Sequence, residues 1–208
     1  MSEFQAYLTL GFEHISDVNG YDHILFIVAL CAIYKPSDWK KLLILVTAFT
    51  IGHSVTLALS AFRLVQIPSE IIEFLIPVTI FITAFLNVLL KKEQGSDAPK
   101  LGERPGTSSG KVMYNYILAL GFGFIHGMGF SNYFSALMGK EENIVTPLLA
   151  FNLGLEVGQI LIVVVMMVVA SICFGLFRVK IREWNLFISG AAAGIALTLM
   201  QATAFWID

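Results

Sequence analysis

The sequence is short of charge. Asp, Glu, Lys and Arg make up 13% of its 208 residues, about half the ~25% of an ordinary soluble domain. With a net charge of −2 and no basic stripe, nothing in it suits a nucleic acid. There are two cysteines, Cys31 and Cys173. Both lie in apolar stretches, where a cysteine packs as a small hydrophobe. No disulfide is expected, a cysteine-rich metal centre is excluded, and the redox compartment cannot be read from them. The chain carries no phosphate-binding loop and no dinucleotide fingerprint. Ser54 and Ser131 lie near histidines in sequence but carry no nucleophile motif around them. The N-terminus, MSEFQAYL, is acidic, unlike a cleavable signal peptide.

Apolar sequence is what the chain has in excess. Apolar residues are 57% of the total and the mean hydropathy is +0.78. Several runs approach or exceed the ~20 residues needed to cross ~30 Å of hydrocarbon. The expected fold class is all-α: a polytopic transmembrane helix bundle of about six spans plus a short N-terminal interfacial or re-entrant helix. That helix covers residues 4–15 and ends at the breaker cluster Ser16-Asp17-Val18-Asn19-Gly20. The spans are read at residues 21–34, 42–62, 71–90, 113–138, 145–177 and 184–207. The first is short and the fifth long enough to tilt. Residues 1–208 form one transmembrane domain, with a polar, Gly-, Pro- and Ser-rich linker at 91–112. Gly190-Ala-Ala-Ala-Gly194 is a small-xxx-small patch, which predicts close helix packing. Phe49-x-x-x-His53 and Phe122-x-x-x-His126 form a short internal echo.

The basic residues give an orientation. Loops 35–41, 91–112 and 178–183 hold 11 of the 13 Lys and Arg, leaving only Arg63 and Lys140 elsewhere. Such an excess marks cytoplasmic loops. It predicts a multi-pass protein of a bacterial inner membrane with both termini outside.

All four histidines, His14, His23, His53 and His126, sit in or beside apolar segments. Ionisable groups at membrane depth are costly and face a partner or a cavity. His53 lies about a dozen residues from the inner end of its span, roughly 18 Å in at 1.5 Å per residue. His126 comes to a similar height, Glu156 lies about 16 Å from the outer end of its span, and Asp22, His23 and Glu73 lie toward the outer side. Asn152, Glu156 and Gln159 repeat at i, i+4, i+7, one helix face. Thr47, Thr50, His53 and Ser54 make a similar stripe, and Gly121, Gly123, Gly127 and Gly129 flank His126. Pro77 removes the amide that would bond the carbonyl of Glu73. Packing and interhelical hydrogen bonding account for such groups singly; the whole set asks for more.

Imidazoles and carboxylates converging in a dry site suit a divalent transition metal, zinc or nickel first among them. The adjacent Asp22 and His23 supply one ligand and one acceptor for its second N–H. The expected metal set is His14, Asp22, His23, His53, His126 and Glu156. Glu13, Glu73, Ser54, Asn152 and Gln159 are access or supporting positions. Proton relay is the competing use of such a cluster.

The strings GFEHISDVNGYDHILF (11–26), FTIGHSVTL (49–57), GFGFIHGMGF (121–130) and FNLGLEVGQ (151–159) resemble the HupE/UreJ membrane proteins. The likeness covers most of the chain in order and looks closest to the shorter UreJ-type branch of Bacteroidetes-like bacteria. It implies a nickel or cobalt permease serving hydrogenase and urease maturation. By motif it implies roles for His14, Asp22, His23 and His126, more loosely for Glu73, and for His53 and Glu156 within that branch. Hydrogenase-linked members place five residues between the first His and Asp-His; seven separate His14 from Asp22 here. They also carry a second His and a Glu after the HG of span four, where this chain has Met128, Gly129 and Phe130.

Three functions follow in order of preference. The first is a divalent-metal (nickel, cobalt or zinc) transporter or permease with an intramembrane His/carboxylate site. The second is a membrane-embedded zinc-dependent hydrolase open to the outer leaflet, with three protein ligands, a bound water and Glu156 or Asp22 as base. The third is a non-catalytic metal sensor or assembly protein, for which the sequence offers no soluble effector domain. Partners are the bilayer, a metal ion and, with no residue committing to it, a second copy of the chain; nucleic acid is not one. Whether the chain is an enzyme stays open, with transport preferred.

Overall fold

In a computed structural model, the described residues are 2–62, 64, 65, 67–89, 107–138 and 144–205. They form seven α-helices: α1 (Glu3–Ser16), α2 (Asp22–Cys31), α3 (Trp39–Ala61), α4 (Ser69–Leu89), α5 (Thr107–Met138), α6 (Val145–Gly175) and α7 (Ile181–Ala202). A short 3-10 turn at Pro36–Asp38 precedes α3.

Local chemistry sets the helix ends. The Ser2 hydroxyl accepts from the Gln5 amide, and the Gln5 side chain accepts from the Ser2 amide, a capping box that opens α1. At the other end the Asn19 amide donates to Asp17 Oδ1 at 2.8 Å, turning the chain out of the helix. Glu183 similarly accepts from the Lys180 amide at the start of α7. Arg178, at φ 55°, makes the tight turn before it.

The helices pack in pairs. α3 and α5 run side by side in the same direction: Gly123 meets Phe49, Gly127 meets His53 and Thr56, and Ser60 meets Ser135. The approach is backbone to backbone, and a Cβ on Gly52 or Gly123 would collide with a facing carbonyl, of Leu120 or Phe49 respectively. α1 runs alongside α6, also in the same direction, with Leu8 against Gly154 and Ile15 against Gly158. α4 lies antiparallel to α7. There Asn87 donates to the Ala29 carbonyl of α2 (2.7 Å) and accepts from Asn185 (2.8 Å), a buried polar clasp of three helices. α2 therefore packs chiefly against α4, α6 and α7.

The expected six spans are not reproduced as such. Among the described residues four helices are long and apolar enough to cross a membrane, judged by length and composition: the turn plus α3, α4, α6 and α7. α1 and α2 have 14 and 10 residues, roughly 21 and 15 Å of helix, so neither crosses alone. The expected span at 21–34 stops at Cys31, where the chain turns through Ala32 toward Pro36. α5 has 32 residues, but its glycines, asparagines and His126 dilute its apolar character. It starts at Thr107, so residues 107–112, expected as linker, are helical; the rest of that linker lies outside the described residues. Among the described residues nothing packs closely on Gly190 or Gly194, where close packing is expected: both are exposed, with open space where a Cβ would stand.

The described basic loops share one end of the bundle. Ala29 near the end of α2, Asn87 near the end of α4 and Asn185 at the start of α7 are hydrogen-bonded together. This places the segments around Lys35 and Arg178–Arg182 close to one another.

Candidate metal centre

Four imidazoles from four helices meet in the interior. His14 comes from the last turn of α1, His23 from the first turn of α2, His53 from α3 and His126 from α5. Ring centroids are 4.7 Å apart for His14–His23, 5.7 Å for His14–His53, 6.0 Å for His23–His53 and 5.1 Å for His23–His126. The Asp17–Tyr21 break between α1 and α2 makes this possible, because it lets both half-helices point a histidine at the same place. The glycine-mediated approach of α3 and α5 brings in the other two.

Possible ligand atoms lie within 4.8 Å of one another in two groups, His14/His23/His53 and Asp22/His23/His126. His23 belongs to both. Donors on one zinc ion stand about 3.4 Å apart at bond lengths near 2.0–2.1 Å, so modest side-chain movement closes either group onto an ion.

The hydrogen bonds fix two of the rings. His23 Nδ1 lies 3.1 Å from Asp22 Oδ1. A carboxylate only accepts, so Nδ1 carries the proton and Nε2 offers its lone pair. Thr79 Oγ1 donates to the Ile76 carbonyl at 2.7 Å. With its one proton so placed, it accepts from His126 Nε2–H at 2.9 Å, and the lone pair of His126 falls on Nδ1.

Those two nitrogens, His23 Nε2 and His126 Nδ1, are buried without a hydrogen-bond partner. So are His14 Nε2 and both ring nitrogens of His53. His53 is fully buried. A buried polar group without a partner costs about 1–3 kcal/mol, and buried polar groups are otherwise almost always satisfied. A neutral imidazole has one lone pair, so these five nitrogens on four rings offer at most four lone pairs, a donor set that could hold a cation. The surroundings are apolar: Phe130 and Phe151 pack on His14, and Phe26 and Phe49 on His126.

The other sequence-derived candidates go elsewhere. Glu156 belongs to neither group; its Oε1 accepts from Thr47 at 2.5 Å. Gln159 accepts from Thr50 at 2.7 Å and is fully buried, with its amide nitrogen unpartnered. Asn152 is half-buried with an unpartnered Oδ1. The Thr47–Glu156 and Thr50–Gln159 bonds make a polar seam between α3 and α6, one to two turns along α3 from His53. Ser54 donates to its own helix at the Thr50 carbonyl, and Ser131 to that of Met128. Glu13 and Glu73 are exposed and belong to neither group. Thr79, which orients His126, was not singled out by the sequence, because a lone threonine in an apolar helix carries no pattern. An apolar crevice of about 390 Å³ opens farther along the α3–α6 seam, lined by Trp39, Leu43 and Val163 among others. Among the described residues no imidazole or carboxylate lines it.

A family model described as "HupE / UreJ protein" matches residues 1–208, the whole chain. The chain belongs to the HupE/UreJ family. No curated protein and no solved structure matches it in the corresponding comparisons. The family match covers every residue of both ligand groups. Together with the apolar helices, it makes this HupE/UreJ chain a membrane protein with a metal-related role.

Proposed function

We propose that this HupE/UreJ protein is a permease for a divalent transition-metal ion, nickel, cobalt or zinc, and that His14, Asp22, His23, His53 and His126 bind the ion midway across the bilayer. The observation that carries this is the set of buried, unpartnered imidazole nitrogens contributed by four separate helices. Imidazole suits these metals better than magnesium or calcium. The family's association with nickel and cobalt transport points the same way.

In this reading α1 and α2 cross the membrane together as one broken span, with the ion site at the break. Discontinuous helices at the binding site are a recurrent feature of secondary transporters. The basic loops at the Lys35 and Arg178–Arg182 end face the cytoplasm of a bacterial inner membrane, and both termini lie outside. The ion arrives from the side of Glu13 and Glu73, which keep exposed carboxylates. It leaves along the oxygen-bearing seam of Thr50, Gln159, Thr47 and Glu156, which runs toward the Trp39 end of α3.

The test is uptake. Purified protein in liposomes should accumulate nickel, cobalt or zinc above empty vesicles, and a variant with all four histidines changed to glutamine should not. A second reading, a zinc-dependent membrane hydrolase, draws on the three-imidazole group with Asp22 holding His23, an arrangement that leaves a fourth zinc position open. Hydrolysis of an ester or peptide by zinc-loaded protein that moves no ion across liposomes would favour it over transport.

A further inference from the structure

We propose a second cation site, built from oxygen alone and separate from the imidazoles: the α3–α6 seam of Thr47, Thr50, Glu156 and Gln159 holds one small monovalent cation, sodium first. The inference needs the chain to span a membrane. It does not need the imidazoles to bind metal.

Glu156 lacks a counter-charge. It lies about 16 Å from the start of α6 at 1.5 Å per residue, and α6 carries no other Asp, Glu, Lys or Arg. Its Oε1 accepts from the Thr47 hydroxyl. Among the described residues no Lys, Arg or His pairs with it; the ion pairs are His23–Asp22 and Lys41–Asp38. A carboxylate at membrane depth calls for a positive partner.

Gln159, one turn farther along α6, is fully buried, and its amide nitrogen has no partner. Thr50 Oγ1 lies 2.7 Å from Gln159 Oε1 and 3.1 Å from the Val46 carbonyl, with one proton to serve both. A half-turn of the Gln159 amide serves both contacts. Its NH₂ then donates to Thr50, the hydroxyl proton goes to Val46, and the Gln159 carbonyl oxygen takes the unpartnered place. A buried acceptor without a partner is costly, and a cation removes that cost.

The two head groups hang one turn apart. Thr47 and Thr50 are i, i+3 on α3, and Glu156 and Gln159 are i, i+3 on α6; Cβ atoms at such spacing stand about 5–6 Å apart. One ion between them takes Glu156 Oε2, the turned Gln159 carbonyl oxygen and a lone pair of the Thr47 hydroxyl.

The donors select the ion. Oxygen without nitrogen or sulfur suits hard cations, unlike the imidazole set. One carboxylate balances one charge, so a monovalent ion leaves the seam neutral at membrane depth, where a divalent ion would leave it positive. Hydrogen bonds of 2.5 and 2.7 Å hold the two helices close at this point, which favours sodium over the larger potassium.

The experiment uses full-length protein in detergent, exchanged into choline chloride, with radioactive sodium as the probe. It reads bound ion per chain and melting temperature at constant ionic strength. Wild type should bind one sodium ion, and sodium chloride, but not potassium chloride, should raise its melting temperature to a plateau. Glu156→Gln should bind none and show no such rise. Its melting temperature in choline should match or exceed that of wild type, because an uncompensated charge is gone. Gln159→Leu removes the amide and should lose sodium as well, with an unchanged size-exclusion profile verifying its fold. The variant with all four histidines changed to glutamine should keep both the bound sodium and the rise.

Wild type that binds no sodium would overturn the proposal. So would equal stabilisation by sodium and potassium, sodium retained in Glu156→Gln, or preference for Mg²⁺ or Ca²⁺ over sodium. Sodium lost from the four-histidine variant and kept by Glu156→Gln would put the ion at the imidazoles instead. Wild type that binds sodium as described but no nickel, cobalt or zinc would remove the transition-metal reading and uphold this site.

Discussion

The Nδ1–H of His23 donates to Asp22 Oδ1 at 3.1 Å, and that bond decides which nitrogen of His23 is free. A ligating histidine is commonly held this way by a carboxylate, which fixes its tautomer and raises its basicity. Asp22→Asn keeps the shape but removes the charge and weakens the hold. Co²⁺ affinity should fall by about 10–100-fold, measured by titration against wild type, while the folded protein persists.

Thr79 does for His126 what Asp22 does for His23, with a weaker, neutral partner. Thr79→Val is close to isosteric and leaves His126 Nε2–H without its acceptor. Co²⁺ binding should weaken, by no more than in Asp22→Asn. A larger loss than in Asp22→Asn would mean that the threonine touches the ion itself.

Much of the site could be read from sequence because histidines are conspicuous in apolar helices. Four of them in a chain this poor in charge, with Asp22 adjoining His23, point to five residues whose side chains lie together in the fold. The helical spacing of Glu156 to Asn152 and Gln159 predicts that it turns inward too. Spacing says that a face turns into the bundle, not which neighbour it meets there, and on α6 that neighbour is Thr47. The break after Ser16 was legible as a breaker cluster. Its consequence was not, since only the packing of α1 along α6 shows that both half-helices deliver a histidine to one point. The small residues Gly190 and Gly194 misled in the other direction: they permit close packing without requiring it.

The approach of α3 and α5 is what sets His53 beside the rest. Gly52 faces the Leu120 carbonyl, whereas Gly121 faces open space. Gly52→Ala should destabilise by about 1–3 kcal/mol, as overpacking does, and lower metal binding. Gly121→Ala should be near neutral. Thermal unfolding in detergent, with and without Co²⁺, compares the two.

Binding must also stabilise the fold, since the site draws on α1, α2, α3 and α5 together. At an ion concentration of about 100 times Kd the gain should be about 2.7 kcal/mol, seen as a higher melting temperature. The variant lacking all four histidines should show no such rise.

Orientation has its own check. In a background with Cys31 and Cys173 replaced by alanine, Ser2→Cys should react with an impermeant thiol reagent from outside the cell. Ser37→Cys should react only in inverted vesicles. The opposite pattern would reverse the direction of ion passage along α3.

The most direct measurement is elemental analysis of protein purified without added metal and then equilibrated with nickel, cobalt and zinc. About one transition-metal ion per chain should stay with the wild type, and none with the variant lacking His14, His23, His53 and His126. Equal metal in both, or none in the wild type, would contradict the claim that these buried imidazoles hold a cation.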